Sequence, residues 1–162
     1  MLRHARAEHG APGGDRNRDL SAAGRRQVGR FGAGDHPGIL ARALAAGCPA
    51  PKLIVASDAS RARQTADAAA AAFGLGPARL EPWLYRASAE EVMAWLWTLP
   101  DQLGAVMVVG HNPTMHVLVA DLVTTSAPDR FAPGTVAVVH FGVDRWAALS
   151  PGAGRLLYCA TA

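Results

Sequence analysis

Apolar and polar positions along the chain alternate between two periods. Residues 52–56 form a short apolar, β-branched run, and residues 59–73 follow as an alanine-rich stretch halted at Gly74, which is a strand feeding a helix. Ser88-Ala89-Glu90-Glu91 has the form of a capping box, and Val92, Trp95, Leu96 and Leu99 then fall at i, i+3, i+4 and i+7 until Pro100 stops the helix. Residues 105–109 are apolar throughout and predict a buried strand. Asn112 is placed to cap a helix with Pro113 in its first position, and Met115, Leu118, Val119 and Leu122 give that helix its inward stripe. Residues 136–141 and 156–159 predict two late strands, separated by a turn-rich segment around Pro151 and Gly152. Glycine and proline crowd residues 10–14, 32–38 and 74–77, which read as surface loops. Strands that alternate with helices in this way predict an α/β fold with a mostly parallel sheet covered by helices.

Composition narrows the class. The 162 residues fit a single domain, 1–162, and half of them are hydrophobic, enough for a real core. Cys48 and Cys159 lie far apart in sequence, which reads as two reduced thiols. The amino end lacks a signal-peptide layout and no apolar run approaches the ~20 residues of a membrane span, so a soluble cytoplasmic protein is expected. Sixteen Lys plus Arg against thirteen Asp plus Glu gives +3, but fifteen of the sixteen are arginine and they are scattered. Such a distribution argues against nucleic-acid binding, while a mild positive field suits anionic substrates.

Candidate chemistry sits at the ends of the expected strands. Arg3-His4 stands at the amino end, Ser57-Asp58-Ala59-Ser60-Arg61 joins a strand to a helix, and Gly110-His111-Asn112-Pro113 does the same later. Ligands of open α/β sheets bind at the carboxyl ends of strands, so these three loci can converge. A histidine there can attack phosphorus and carry the phosphoryl group covalently, and His4 is the candidate nucleophile. Arg3 and Arg61 would offer guanidinium forks to the equatorial oxygens, and His111 a further donor. Singly, each has a plainer reading: His4 as a terminal surface residue, Arg61 as a solvated helix residue, His111 as a strand-end side chain bonded to backbone. Co-occurrence in this order favours the chemical one. The pairs His4/His9 and His111/His116 are five apart, more than a helical turn, which argues against a metal site. Trp83, Trp95, Trp97 and Trp146 read as packing residues.

These segments together resemble the histidine phosphatase (phosphoglycerate mutase-like) superfamily, and within it the SixA-type phosphohistidine phosphatases. Arg18-Asp19-Leu20-Ser21 is similar to that family's Arg-Pro-Leu-Thr segment, with Asp19 where proline is usual, and Trp83-Leu84-Tyr85 and Pro133-Gly134-Thr135 also match. The resemblance implies a three-layer α/β/α fold, a phospho-His4 intermediate, and a phosphate cage of Arg3, Arg61 and His111 with Arg18 at its edge. It implies no metal or organic cofactor, and a phosphorylated substrate such as a phosphohistidine-bearing signalling protein, with oligomeric state left open. Two departures stand out. Only Met1 and Leu2 precede Arg3-His4 where the family has a full central strand, so either a late start or some compensation in the sheet is expected. Around Leu84-Tyr85-Arg86 the chain lacks the carboxylic acid that larger members use to protonate an alkoxide, with Glu81, Glu90 and Glu91 nearby but out of pattern. Two alternatives stay open: a small-molecule phosphomonoesterase on the same scaffold, and a degenerate module that binds phosphate without turnover.

Overall fold

The computed structural model describes residues 26–29, 36–123 and 127–161. Among these residues six strands form one sheet: β1 (Arg26–Gly29), β2 (Leu53–Ala56), β3 (Arg79–Leu80), β4 (Ala105–Val109), β5 (Thr135–Phe141) and β6 (Arg155–Thr161), in the order β3-β2-β4-β1-β5-β6. Strands β3, β2, β4 and β1 run parallel, and β5 and β6 add an antiparallel edge. All five residues of β4 are buried, which is why its sequence carries no polar alternation: both faces of a parallel sheet are covered. Each valine in such a position contributes about 1.5–3 kcal/mol of burial.

Helices cover the two faces in pairs. On one face α1 (His36–Ala45) and α2 (Ser60–Ala72) bring Ile39, Leu40, Ala66 and Ala69 onto Ile54, Ala56, Met107 and Val109. On the other, α3 (Ala89–Trp97) and α4 (Thr114–Leu122) bring Val92, Leu96, Leu118 and Leu122 onto Val55, Val106 and Val108. Residues of one strand alternate between the two clusters, as a period of two requires. The molecule is therefore the three-layer α/β/α arrangement expected of a phosphoglycerate mutase-like chain.

The expected capping box is present. Ser88 Oγ accepts from the Glu91 amide at 3.2 Å and Glu91 accepts from the Ser88 amide at 2.8 Å. The same helix ends at Trp97, two residues before buried Leu99, with Thr98 bonding back to Trp95.

The structure corrects two sequence expectations and adds a strand that the sequence did not signal. Residues 36–38 belong to helix α1 although Pro37 and Gly38 signal a loop, because proline is tolerated in a first helical turn. Asn112 does not cap α4. The helix starts at Thr114 with Pro113 before it, and the Asn112 amide instead donates to the Phe131 carbonyl. Finally, the interior position between β4 and β5 is held by Arg26–Gly29, a segment whose polarity gives no strand signal. Its pairing on both sides satisfies backbone groups of β4 and β5 that would otherwise be orphaned. Arg3, His4 and Arg18, the 10–14 loop and Ser21 lie outside the described residues.

Among the described residues no helix is long and apolar enough to cross a membrane. Cys48 is buried, Cys159 is exposed, and both are free. Desolvation pushes both thiols upward, which keeps them protonated and poor nucleophiles at neutral pH.

Gly154 supplies a stability test. Its amide donates to the Leu122 carbonyl at 2.8 Å, and a Cβ there would stand 2.6 Å from that same oxygen and 2.5 Å from Val139 Cγ1. The Gly154→Ala variant should lose about 1–3 kcal/mol, as overpacked sites do, and lower Tm by roughly 3–10 °C. An unchanged melting curve would show that strand β6 and helix α4 separate freely at this point.

Candidate active site

Strands β2 and β4 pair in register from Leu53↔Val106 to Ala56↔Val109, so they end level. The Ser57 amide continues the ladder by donating to the Val109 carbonyl at 3.0 Å. Ser57 is fully buried at this edge and its hydroxyl accepts from the Ala59 amide at 3.3 Å, turning the chain into α2. Beyond the paired ends, β2 continues into a helix carrying Arg61 in its first turn, and β4 continues through Gly110 to His111. The two side chains, fifty residues apart in sequence, meet with Arg61 Nη2 3.3 Å from His111 Nδ1.

The chemistry of the pair assigns its protons. A guanidinium can only donate, so Nδ1 of His111 accepts and the ring proton sits on Nε2. His111 thus carries its N–H on Nε2, a buried atom, while Arg61 keeps further donors, and both lie at the amino-terminal ends of helices. Helices α2 and α4 add their own positive poles to this edge. An anion with several oxygens, such as a phosphoryl group, is what these groups can hold together.

His111 is fixed by its surroundings. Its carbonyl accepts from the Met115 amide at 3.0 Å, and a Cβ at Gly110 would lie 2.9 Å from Met115 Cε, so the strand-to-helix turn has little slack. Thr114 Oγ1 donates to the Ala87 carbonyl at 2.6 Å, tying the start of α4 to the segment that leads into α3. Among the described residues no group of metal-ligating side chains forms around His116. Its ring stacks on Phe131 at 5.7 Å and its Nε2 lies 2.9 Å from the Pro128 carbonyl, which with Asn112 clips residues 128–131 beside the site.

The three carboxylates of residues 81–91 singled out in the sequence all have partners. Glu81 is ion-paired with Arg79 at 2.5 Å and accepts Trp83 Nε1–H at 3.0 Å. Glu91 closes the capping box. The Ser88 side chain, followed by Glu90's own backbone amide, holds the Glu90 carboxyl below its ordinary range, which keeps it ionised rather than ready to donate a proton.

One contact is absent from the sequence reading. Tyr85 ends a short 3-10 turn (Pro82–Tyr85) and sets its ring edge-on to the His111 imidazole, with centroids 5.1 Å apart. Only the proximity of Trp83-Leu84-Tyr85 to a family-like segment hinted at it, because the partner lies 26 positions away. The tryptophans behave as expected of packing residues. Trp146 is fully buried and donates to the Leu103 carbonyl at 2.7 Å, Trp83 and Trp95 lie 6.1 Å apart, and Trp97 donates to the Leu149 carbonyl at 2.9 Å while staying part exposed.

Of the five sequence candidates, the structure brings Arg61 and His111 together. Arg3, His4 and Arg18 fall outside the described residues.

No family model matches the chain. The uncharacterised protein Rv1276c of Mycobacterium tuberculosis is 30% identical over 166 residues, covering 96% of each chain. Among solved structures, a protein from Nakamurella multipartitia assigned as phosphohistidine phosphatase SixA superposes with a TM-score of 0.63 at 27% identity, over 86% of this chain and 98% of that one. The protein histidine phosphatase SixA complexed with tungstate superposes with a TM-score of 0.62 at 21% identity, over 85% of this chain and 96% of that one. Layering, strand-end chemistry and kinship over nearly the whole length therefore agree, and the chain belongs to the histidine phosphatase (phosphoglycerate mutase-like) superfamily, in its SixA-type branch.

Proposed function

We propose that this phosphatase hydrolyses protein phosphohistidine through a covalent phospho-His4 intermediate, with Arg3, Arg61 and His111 caging the phosphoryl group and Arg18 at its edge. The observation that carries this reading is the Arg61–His111 pair at 3.3 Å across the level ends of β2 and β4. The phosphohistidine substrate is supported by the state of the three glutamates that the sequence places nearest a general acid's position. Glu81, Glu90 and Glu91 are committed to other contacts, so none is poised to protonate a leaving alkoxide. Imidazole leaves without such help, because its far nitrogen can carry a proton.

The reaction then runs in two displacements. His4 attacks phosphorus as imidazole departs; water later attacks phospho-His4 and releases phosphate. Charge on the equatorial oxygens is met by Arg61 and by the Nε2–H of His111, which are already oriented by each other. With the cationic groups of the cage supplying the positive charge, no metal or organic cofactor enters this scheme.

Rapid-quench mass spectrometry should find an acid-labile phosphate on the peptide containing His4. Recovery on His111, with His4→Ala still active, would overturn the assignment. Loss of a preorganised donor costs on the order of 3 kcal/mol, so Arg61→Ala should lower kcat about 100-fold or more, and Arg61→Lys should recover little of it. Wild-type kinetics in Arg61→Lys would place the arginine outside the cage.

Vanadate should inhibit competitively and EDTA should leave activity intact; activity lost to EDTA and restored by zinc or magnesium would overturn the metal-free scheme. Across leaving groups, kcat/KM should be much higher for phosphohistidine and p-nitrophenyl phosphate than for glycerol phosphate or 3-phosphoglycerate. A preference for sugar phosphates would replace the proposal with a small-molecule phosphomonoesterase, and absence of any turnover would replace it with a phosphate-binding module.

A further inference from the structure

The turn Pro82–Tyr85 is held rigidly but leaves one large side chain facing out. Leu84 is 2% exposed and inserts into the core, Trp83 packs on Trp95 and is bonded to Glu81, and the Arg86 amide closes the turn on the Trp83 carbonyl at 3.2 Å. On the far side, Ala87 is buried and its carbonyl takes the Thr114 hydroxyl. Tyr85 is bracketed by these anchors, yet it is 54% exposed. An exposed phenol ring costs burial, and here that ring makes a T-shaped contact with the imidazole of His111, centroids 5.1 Å apart. Ser57 is fully buried at the level ends of β2 and β4, so on the phosphatase reading a group attached to a phosphoryl held by Arg61 and His111 would point away from those strand ends. The Tyr85 ring is the exposed aromatic in contact with His111, and so stands beside any group held there.

We propose that Tyr85 is a specificity-determining residue whose ring forms the wall against which the leaving group lies, so that the site prefers flat, aromatic leaving groups such as imidazole or an aryl ring. The proposal rests on the phosphatase reading above and deepens it. It adds a selection made at binding, by shape and ring contact, to the chemical selection by leaving group proposed above. The ring, not the hydroxyl, is the operative part, because the His111 contact is made through the ring. Ring–ring contacts of this kind are worth about a two- to tenfold change in affinity.

Binding of non-hydrolysable probes separates the two selections. Phenylphosphonate and cyclohexylphosphonate carry the same anionic head on groups of similar size, one flat and one puckered, and calorimetric titration reads each without turnover. The wild-type protein should bind phenylphosphonate roughly five- to tenfold more tightly. Tyr85→Phe should keep that preference and Tyr85→Leu should abolish it, with cyclohexylphosphonate binding changed less than twofold. A preference that persists in Tyr85→Leu, or is lost equally in Tyr85→Phe, would overturn the proposal while leaving the phosphatase reading standing. If the wild-type protein binds neither phosphonate nor inorganic phosphate, the anion site itself fails, and both readings fall together. As a second readout, Tyr85→Leu should raise KM for p-nitrophenyl phosphate with kcat within about twofold; a uniform drop in kcat for every substrate would reduce Tyr85 to a support for His111.

Discussion

The parallel register of β2 and β4 is the constraint on which the site depends. Ala56 faces Val109 across the ladder, and the next bond, from the Ser57 amide to the Val109 carbonyl, brings both strands to an end at one level. A slip of one residue would turn every buried valine of β4 to the other face of the sheet and shift His111 by a strand step relative to Arg61. Because both faces of β4 are buried, a slip would pair helix faces with the wrong cluster, so core packing enforces the register. The contact between a guanidinium and an imidazole fifty positions apart is thus a by-product of how valines are buried one layer below.

A second level of order comes from cross-ties at the same edge. Thr114 reaches the Ala87 carbonyl, Asn112 the Phe131 carbonyl, and His116 the Pro128 carbonyl. All three side chains lie within five residues of His111, and together they fasten two neighbouring segments, at Ala87 and at residues 128–131, to the start of α4. Positions next to the chemistry are therefore used for scaffolding, which is what holds a site's groups within the narrow tolerance that electrostatic preorganisation demands.

Much of this was legible in the sequence where the determinant is local. Residues 105–109 declare themselves because five apolar residues between turn signals have no other fate, and Ser88 with Glu91 declares a helix start because both partners of the box lie in four residues. Strand β3 was not legible: two exposed residues, Arg79 and Leu80, owe their conformation to pairing with β2 alone. Nor was β1, whose place is set by the vacancy between two other strands rather than by its own composition. Asn112 illustrates the limit sharply. Its local context is that of a good cap, but Pro113 comes to precede the helix, and the Asn112 side-chain amide is drawn to a carbonyl nineteen residues downstream. The Arg61 and His111 loci could be read because strand ends are predictable; the ring of Tyr85 could not, since nothing local reports a contact across 26 residues.

Helix α2 meets the sheet through Ala62, Ala66, Ala69 and Ala70, with Thr65 turned inward and bonded to the Arg61 carbonyl at 2.9 Å. A face built from methyl groups is thin, and thinness acts here as a spacer of set gauge: it lets the helix axis ride close to the strands, and that height fixes how far a guanidinium in the first turn must reach. Arginine matches that gauge with its long stem. A bulkier residue at Ala66, fully buried against the sheet, would lift the helix like a shim under a lever, and the displacement would be delivered at the far end as a change in the gap between Arg61 and His111. The spacing of the charged pair is in this sense written in the smallest side chains of the protein, residues that bear no charge and touch no substrate.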